Sequence, residues 1–218
     1  MDDITRAAIA RAAGVAQRSH RPSQRRCAEQ TGSAALARFA AQRMELRDSS
    51  SDGLLTYDGY ATTYDQSYDM WDMYGQYSEI VAAGAASDSL KRVGLDVPFV
   101  LGHDALRVMA STINGTLTLS EDEHGLRVLA DALDPNDADV AYIAPKIRAG
   151  LIREMSFKFV ITRGQWSPDY TEYRIDSFDL HRGDVSIVGF GANPNTSGEL
   201  RTVDIARLRT RLSLALAH

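Results

Sequence analysis

The sequence predicts an α+β, β-rich fold, with a core of mostly antiparallel strands and helices at its periphery. Two observations carry that expectation. From residue 54 onward the chain falls into short runs of strand-forming residues separated by Gly, Asp and Pro turn signals. Helical periodicity, by contrast, is confined to the two ends and to one segment near 136–149.

Taken in order, residues 1–50 form a basic arm. They hold nine Arg against five acids, about +4, which leaves about −9 for the rest of a chain whose formal net charge is −5. Two Ala-rich stretches in the arm, "ITRAAIARAAGVAQ" and "SAALARFAAQRMELR", read as helical. Between them "RSHRPSQRRCAEQTGS" has no periodicity, so the arm is expected to be part helix, part disorder. Next come Tyr57, Tyr60, Tyr64, Tyr68, Trp71, Tyr74 and Tyr77, spaced three or four apart like a helical stripe. The Asp and Gly among them are poor in helix interiors and Tyr favours strands, so strands near 54–62 and 77–82 with a loop between are expected instead.

The segment "VPFVLGHDAL" reads as a strand over Val97–Leu101 that ends at Gly102. "GTLTLSEDEHGLRVLADAL" reads as a hairpin: Leu117 and Leu119 alternate on one side of the turn, and Leu126, Val128 and Ala130 on the other. "NDADVAYIAPKIRA" reads as a helix with an Asn or Asp cap and Gly150 as its stop, kinked or delayed by Pro145. Then "EMSFKF" alternates Met155, Phe157 and Phe159 against Ser156 and Lys158, and "EYRIDSFDL" and "DVSIVGF" read as two further strands. The last segment, 199–218, places Ile205, Leu208, Leu212 and Leu216 on one helical face. Residues 51–198 are therefore one expected domain between an arm and a terminal helix.

Composition excludes several functions. Hydrophobic content of 44% and charged content of 24% are those of an ordinary globular protein, and no apolar run nears the ~20 residues of a membrane span. The formal net charge of −5 argues against a protein that coats nucleic acid through its whole surface, which leaves the basic arm as a docking or scaffold-binding arm, one that touches nucleic acid, or a solvated tail. The Asp residues among the aromatics argue against a base-stacking platform. The single Cys27 cannot form an intramolecular disulfide, which fits a reducing cytoplasm. GxxxxGK[ST], a strand-then-helix GxGxxG and GxSxG are all absent. The pairs His103/Asp104 and His181/Asp184 lack HExxH or CxxC spacing, so no metal and no cofactor is expected.

Ser156 is the residue that asks for an explanation, since it puts a hydroxyl inside an apolar strand. One explanation is a core serine bonded to a neighbouring carbonyl. The other is a nucleophile, which needs a base and a group to orient that base. Of five histidines, His20, His124 and His218 fall in the arm, a turn and the last position. His103 follows an apolar strand at its Gly-marked end, where rigid scaffolds present catalytic groups, although a polar loop residue would look the same. His181 precedes Asp184 by three residues in "DLHRGDVS".

The order of the pieces resembles a known family. "GYATTYD", "YSEIVAAGAASDSL", "VPFVLGHD", the hairpin, "IRAGLIREMSFKF" and "DVSIVGFGANPNT" succeed one another as in the prohead (capsid maturation) proteases of tailed phages, over about residues 54–196. That family has the herpesvirus assemblin-like fold, so the resemblance implies a mostly antiparallel β-barrel core. It implies Ser156 as nucleophile, His103 as general base and Asp184 as third member, where the family usually has Glu. His181 is the rival, because assemblins use a second histidine. The residue after "MSF", often Gly in the family, is Lys158, read here as a change to the surface. Oxyanion donors stay unassigned, with Arg148 and Arg153 only candidates. The implied activity is a serine endopeptidase, homodimeric, working inside the procapsid in the host cytoplasm. It would cut scaffold segments from the major capsid protein, and itself. The alternative is a catalytically inactive procapsid scaffold protein of the same fold; a β-rich binding domain with a core serine is the third reading.

Overall fold

The computed structural model describes residues 1–15, 39–40, 44–48, 53–72 and 74–189. The elements run α1 (Asp3–Val15), β1 (Phe39–Ala40), β2 (Met44–Asp48), β3 (Leu55–Thr63), β4 (Ser67–Asp72), β5 (Gly75–Val81) and α2 (Ser87–Leu90). They continue with β6 (Pro98–Leu101), β7 (Val108–Ser111), β8 (Thr118–Glu121), β9 (Gly125–Leu133), α3 (Ala138–Arg148), β10 (Glu154–Trp166) and β11 (Glu172–Val188). The α+β, β-rich expectation holds, and no described helix is long and apolar enough to cross a membrane.

The strands divide between two sheets. The larger runs β1-β10-β11-β5-β4, with β6 on β11 and β7 on β6; the smaller runs β2-β3-β9-β8. Most pairings are antiparallel, but β11 pairs in parallel with β5 through its first residues and with β6 through its last. Pairing among the described strands closes no barrel, so the expected barrel circuit is not part of the described structure.

The core lies under the alternating faces. Met155, Phe157, Phe159 and Ile161 of β10 are all buried, as their period of two requires. The Phe157 and Phe159 rings stack with centroids 4.2 Å apart, and Phe178 of β11 tilts against both at 5.3 and 5.0 Å. This aromatic block fixes the strand that carries Ser156. The hairpin of β8 and β9 turns at Asp122, whose Oδ1 accepts the N–H groups of His124 and Gly125 at 2.8 and 3.2 Å. Asp137 caps α3, accepting from the N–H groups of Asp139 and Val140; Pro145 is accommodated inside the last turns of that helix.

Several expectations are corrected. The loop assigned between 62 and 77 contains β4, an antiparallel partner of β5 that buries Tyr68 and Met70; its interspersed Asp residues hid it. β7 was not expected, because its four residues are too short to show a period. "EYRIDSFDL" and "DVSIVGF" belong to one strand, β11, interrupted by an irregularity opposite Phe159 rather than by a loop. Where "SAALARFAAQRMELR" is described it is strand, β1 and β2, because pairing with β10 and β3 overrides the helix propensity of Ala. The helix expected at 199–218 lies outside the described residues.

α1 itself is as expected, and Arg11 is its most deeply buried polar anchor. Arg11 is fully buried; its Nε and Nη2 form a fork on Asp72 at 2.7 and 3.0 Å. Nη1 donates to the carbonyl of Tyr170 (2.6 Å), and Nη2 also reaches the carbonyls of Gly75 (3.1 Å) and Gln76 (3.3 Å). The guanidinium carbon lies 5.1 Å from the Tyr77 ring centre and 4.9 Å from that of Trp166. Ala7 packs so closely on Gly75 that a Cβ there would come within 2.8 Å of it.

Candidate active site

β6, β10 and β11 converge on one patch of the larger sheet. Ser156 faces Ser186 across β10 and β11, Lys158 faces Asp184, and Ser186 in turn faces Val100 of β6. Side chains two apart on a strand share a face, so Ser156, Lys158, Asp184 and Ser186 project together. Phe157, Val185 and Phe99 project the other way into the core. Ser156 is 2% exposed. Burial keeps its hydroxyl out of bulk water, where electrostatic interactions would be weakened.

The histidine arrives from the end of β6. Gly102 and His103 both adopt φ of +61°, two consecutive left-handed residues that reverse the chain directly after the strand. Such a conformation costs a non-glycine residue of order 1–3 kcal/mol, and the surroundings hold it. The N–H of Gly102 donates to Ile187 O at 2.9 Å, and that of His103 to the Ser186 hydroxyl at 2.9 Å. The fully buried Ser186 hydroxyl passes its own hydrogen to Ile187 O at 3.2 Å. Further along the loop, Arg107 grips Asp139 of α3 through Nε and Nη2 at 2.8 and 2.5 Å.

These restraints bring His103 Nδ1 to 2.6 Å from Asp184 Oδ1, with side chains 8% and 7% exposed. A contact that short and dry is a charge-assisted hydrogen bond. It also commits one ring nitrogen, leaving Nε2 as the atom able to take or give a proton. Asp184 reaches this point because β11 bulges. Lys158 pairs with Asp184, but the next pair along is Val160 with Asp179, so four residues, 180–183, stand opposite one. Arg182 takes φ of +58°, and Gly183 passes so near the β10 backbone that a Cβ would sit 1.8 Å from Lys158 O. The shorter reach of an aspartate is thus made up by the backbone.

Of the residues singled out in the sequence, His103 and Asp184 touch, and Ser156 lies on the same face one cross-strand step away. His181 does not join them: its Nδ1 accepts the Asp96 N–H at 3.2 Å, in the loop before β6. His124 is exposed in the β8–β9 turn, 6.0 Å between ring centres from Tyr60. Arg148 ends α3 and Arg153 directly precedes β10. His20 and His218 lie outside the described residues.

Two members were missed. Ser186 was legible in principle, since "DVSIV" places it on the face of Asp184. Lys158 was read as a surface change, yet its Nζ lies 3.1 Å from Asp184 Oδ2 with 34% of its side chain exposed. Beside it opens a groove of about 250 Å³, lined in part by Asp96, Pro98, Val100, Ala105 and Arg182.

A serine, a histidine and an aspartate on one face, at this register, fit acyl transfer by a serine nucleophile. Comparison with protein families agrees. Residues 42–210 match the model of the Caudovirus prohead serine protease family. The chain belongs to that family. The match leaves out α1 and extends past β11. No curated protein and no solved structure matches. Membership makes the chain a phage serine protease of the capsid maturation class.

Proposed function

We propose that the chain is an active endopeptidase in which Ser156 is the nucleophile, His103 the general base and Asp184 the residue that orients and charges the base. The 2.6 Å contact between His103 Nδ1 and Asp184 Oδ1, on the face that carries Ser156, is the observation that supports this most directly. Nδ1–H donates to the carboxylate, which fixes the tautomer in which Nε2 is the base. Nε2 takes the Ser156 proton as Oγ attacks the scissile carbonyl, and returns it to the amine as the peptide bond breaks. A water, deprotonated the same way, then releases the acyl group from Ser156.

Family membership supports procapsid proteins as substrates: scaffold segments of the major capsid protein, and the chain itself, cut inside the procapsid before it matures. In this reading the protease domain is 51–198. The basic arm and the segment 199–218 serve encapsidation, dimerisation or self-cleavage. An inactive scaffold protein draws its support from aspartate standing where glutamate is usual; the bulge that carries Asp184 to His103 favours the active reading.

The test is co-expression with the adjacent capsid protein, wild type beside Ser156→Ala, followed by intact-mass spectrometry. Trimmed capsid protein, or a trimmed chain, in wild type alone supports the protease. Uncut masses in both, with particles assembled, would make the chain a scaffold.

A further inference from the structure

We propose that Lys158 is a positioning residue of the catalytic site, clamping the Asp184 carboxylate so that its other oxygen stays on His103. This rests on the proton relay proposed above and extends it to a fourth side chain.

A carboxylate with one partner is free to turn about its last torsion, which is broad rather than three-fold. Asp184 has two partners, one on each oxygen: His103 Nδ1 on Oδ1 at 2.6 Å and Lys158 Nζ on Oδ2 at 3.1 Å. Together they fix the plane of the carboxylate. Nothing about the pairing is left to a mobile loop, because Lys158 and Asp184 are direct partners in the β10–β11 ladder. The clamp and the nucleophile also share one rigid strand, two residues apart on the same face, so Ser156 and the group that orients its base move as a unit. Gly183, with its close approach to Lys158 O, holds the two backbones in contact next to the pair.

Two other uses for this amine are less well supported. It is not placed as the base, because its ammonium is engaged by Asp184. Nor is it an ordinary surface ion pair, which would be worth little: Asp184 is 7% exposed, and a buried carboxylate depends on its partners. The groove beside Lys158 adds a reason for the clamp to tighten during reaction. A substrate side chain entering it would cover the amine and exclude water, which strengthens the contact with Asp184.

The experiment compares wild type, Lys158→Met, Lys158→Arg and Arg163→Met in the full chain. Arg163 is an exposed cation on the same strand, outside the site. The substrate is a peptide spanning the cut found in the co-expression assay. Lys158→Met keeps the stem but not the charge, and its kcat is expected to fall about tenfold with KM within about twofold, because the clamp acts on the chemical step. Lys158→Arg should recover most of the loss, and Arg163→Met should match wild type. The low-field Nδ1 proton of His103, followed by NMR, should shift or broaden in Lys158→Met and persist in Lys158→Arg. Equal kcat in wild type and Lys158→Met, with the His103 resonance unmoved, overturns the clamp while leaving the serine protease standing. If wild type itself fails to cleave, the underlying reading falls instead. Should Lys158→Met not fold, Lys158→Gln carries the same comparison with a neutral donor.

Discussion

Two buried ionic clusters anchor opposite ends of β10, and they are built differently. Near Trp166, all three guanidinium nitrogens of Arg11 are engaged: they donate to Asp72 and three carbonyls, and the group lies over two rings. Near Ser156, the cluster of His103, Asp184 and Lys158 commits one ring nitrogen and both carboxylate oxygens, and leaves Nε2 out of the clamp. The first arrangement can only hold, because a guanidinium keeps its protons and each of its nitrogens donates to structure. The second holds and still has an atom free for a proton. A buried charge pair is therefore not evidence of function by itself; what matters is whether it includes an atom able to exchange a proton.

The sharpest way to break this comparison is at the cluster beside Ser156. Ser156→Ala or His103→Ala should each lower cleavage by on the order of 10³-fold or more, and the double variant should be little worse than either, since the members of the proposed relay would act as a unit. Quantitative mass spectrometry of the cut capsid protein reads this out. Additive losses would contradict a shared relay.

Next is the backbone that delivers Asp184. Gly183→Ala forces a Cβ into Lys158 O and should cost activity on the order of 10²-fold through the displaced carboxylate. Thermal denaturation should show a loss of about 1–3 kcal/mol, because overpacking and strain here are local. Full activity in Gly183→Ala would show that Asp184 does not need its bulge.

At the Arg11 cluster, Arg11→Ala should remove the anchor of α1, for a cost of about 3–5 kcal/mol localised to that helix. Hydrogen exchange should rise across residues 3–15 while β10 and β11 stay protected, and cleavage should be unchanged. Global unfolding would mean that α1 is integral to the domain rather than docked on it.

The smallest effect belongs to neither cluster. Burial works to raise the Asp122 carboxyl, but hydrogen bonds from Tyr60 and from the N–H groups of His124 and Gly125 outweigh it and hold the group below its ordinary value. The folded value is lowered, so this contribution is complete above the ordinary carboxylate range and fades as pH falls through the folded value. Asp122→Asn should cost no more than about 1 kcal/mol at neutral pH, and the difference from wild type in thermal melts should vanish in strong acid.

How much of this was legible depended on what each signal rests upon. Period-two alternation gave β10 and the core positions Met155, Phe157 and Phe159, because one buried face dictates residue type along the strand. The β8–β9 hairpin and the Asp137 cap were legible for the same reason: local chemistry suffices. β4 was hidden by Asp residues whose partners are distant in sequence, Asp72 with Arg11 among them. The site divided likewise. His103 and Ser156 stood out by type and context, whereas Lys158 did not, since its meaning comes from a cross-strand partner 26 positions away and from a bulge. His181 could not be separated from Asp184 by spacing, and only the ladder register separates them.

The bulge at 180–183 also acts as a phase setter. Upstream of it β11 counts its faces against β5, and downstream against β6. Losing one residue from those four would advance everything after it by half a pleat. Asp184 and Ser186 would turn into the core, and Val185 and Ile187 would turn out toward the solvent side. A length change there would thus invert the candidate face while leaving every one of its side chains in the chain, so among related sequences the number of residues between Leu180 and Asp184 should vary less than their identity.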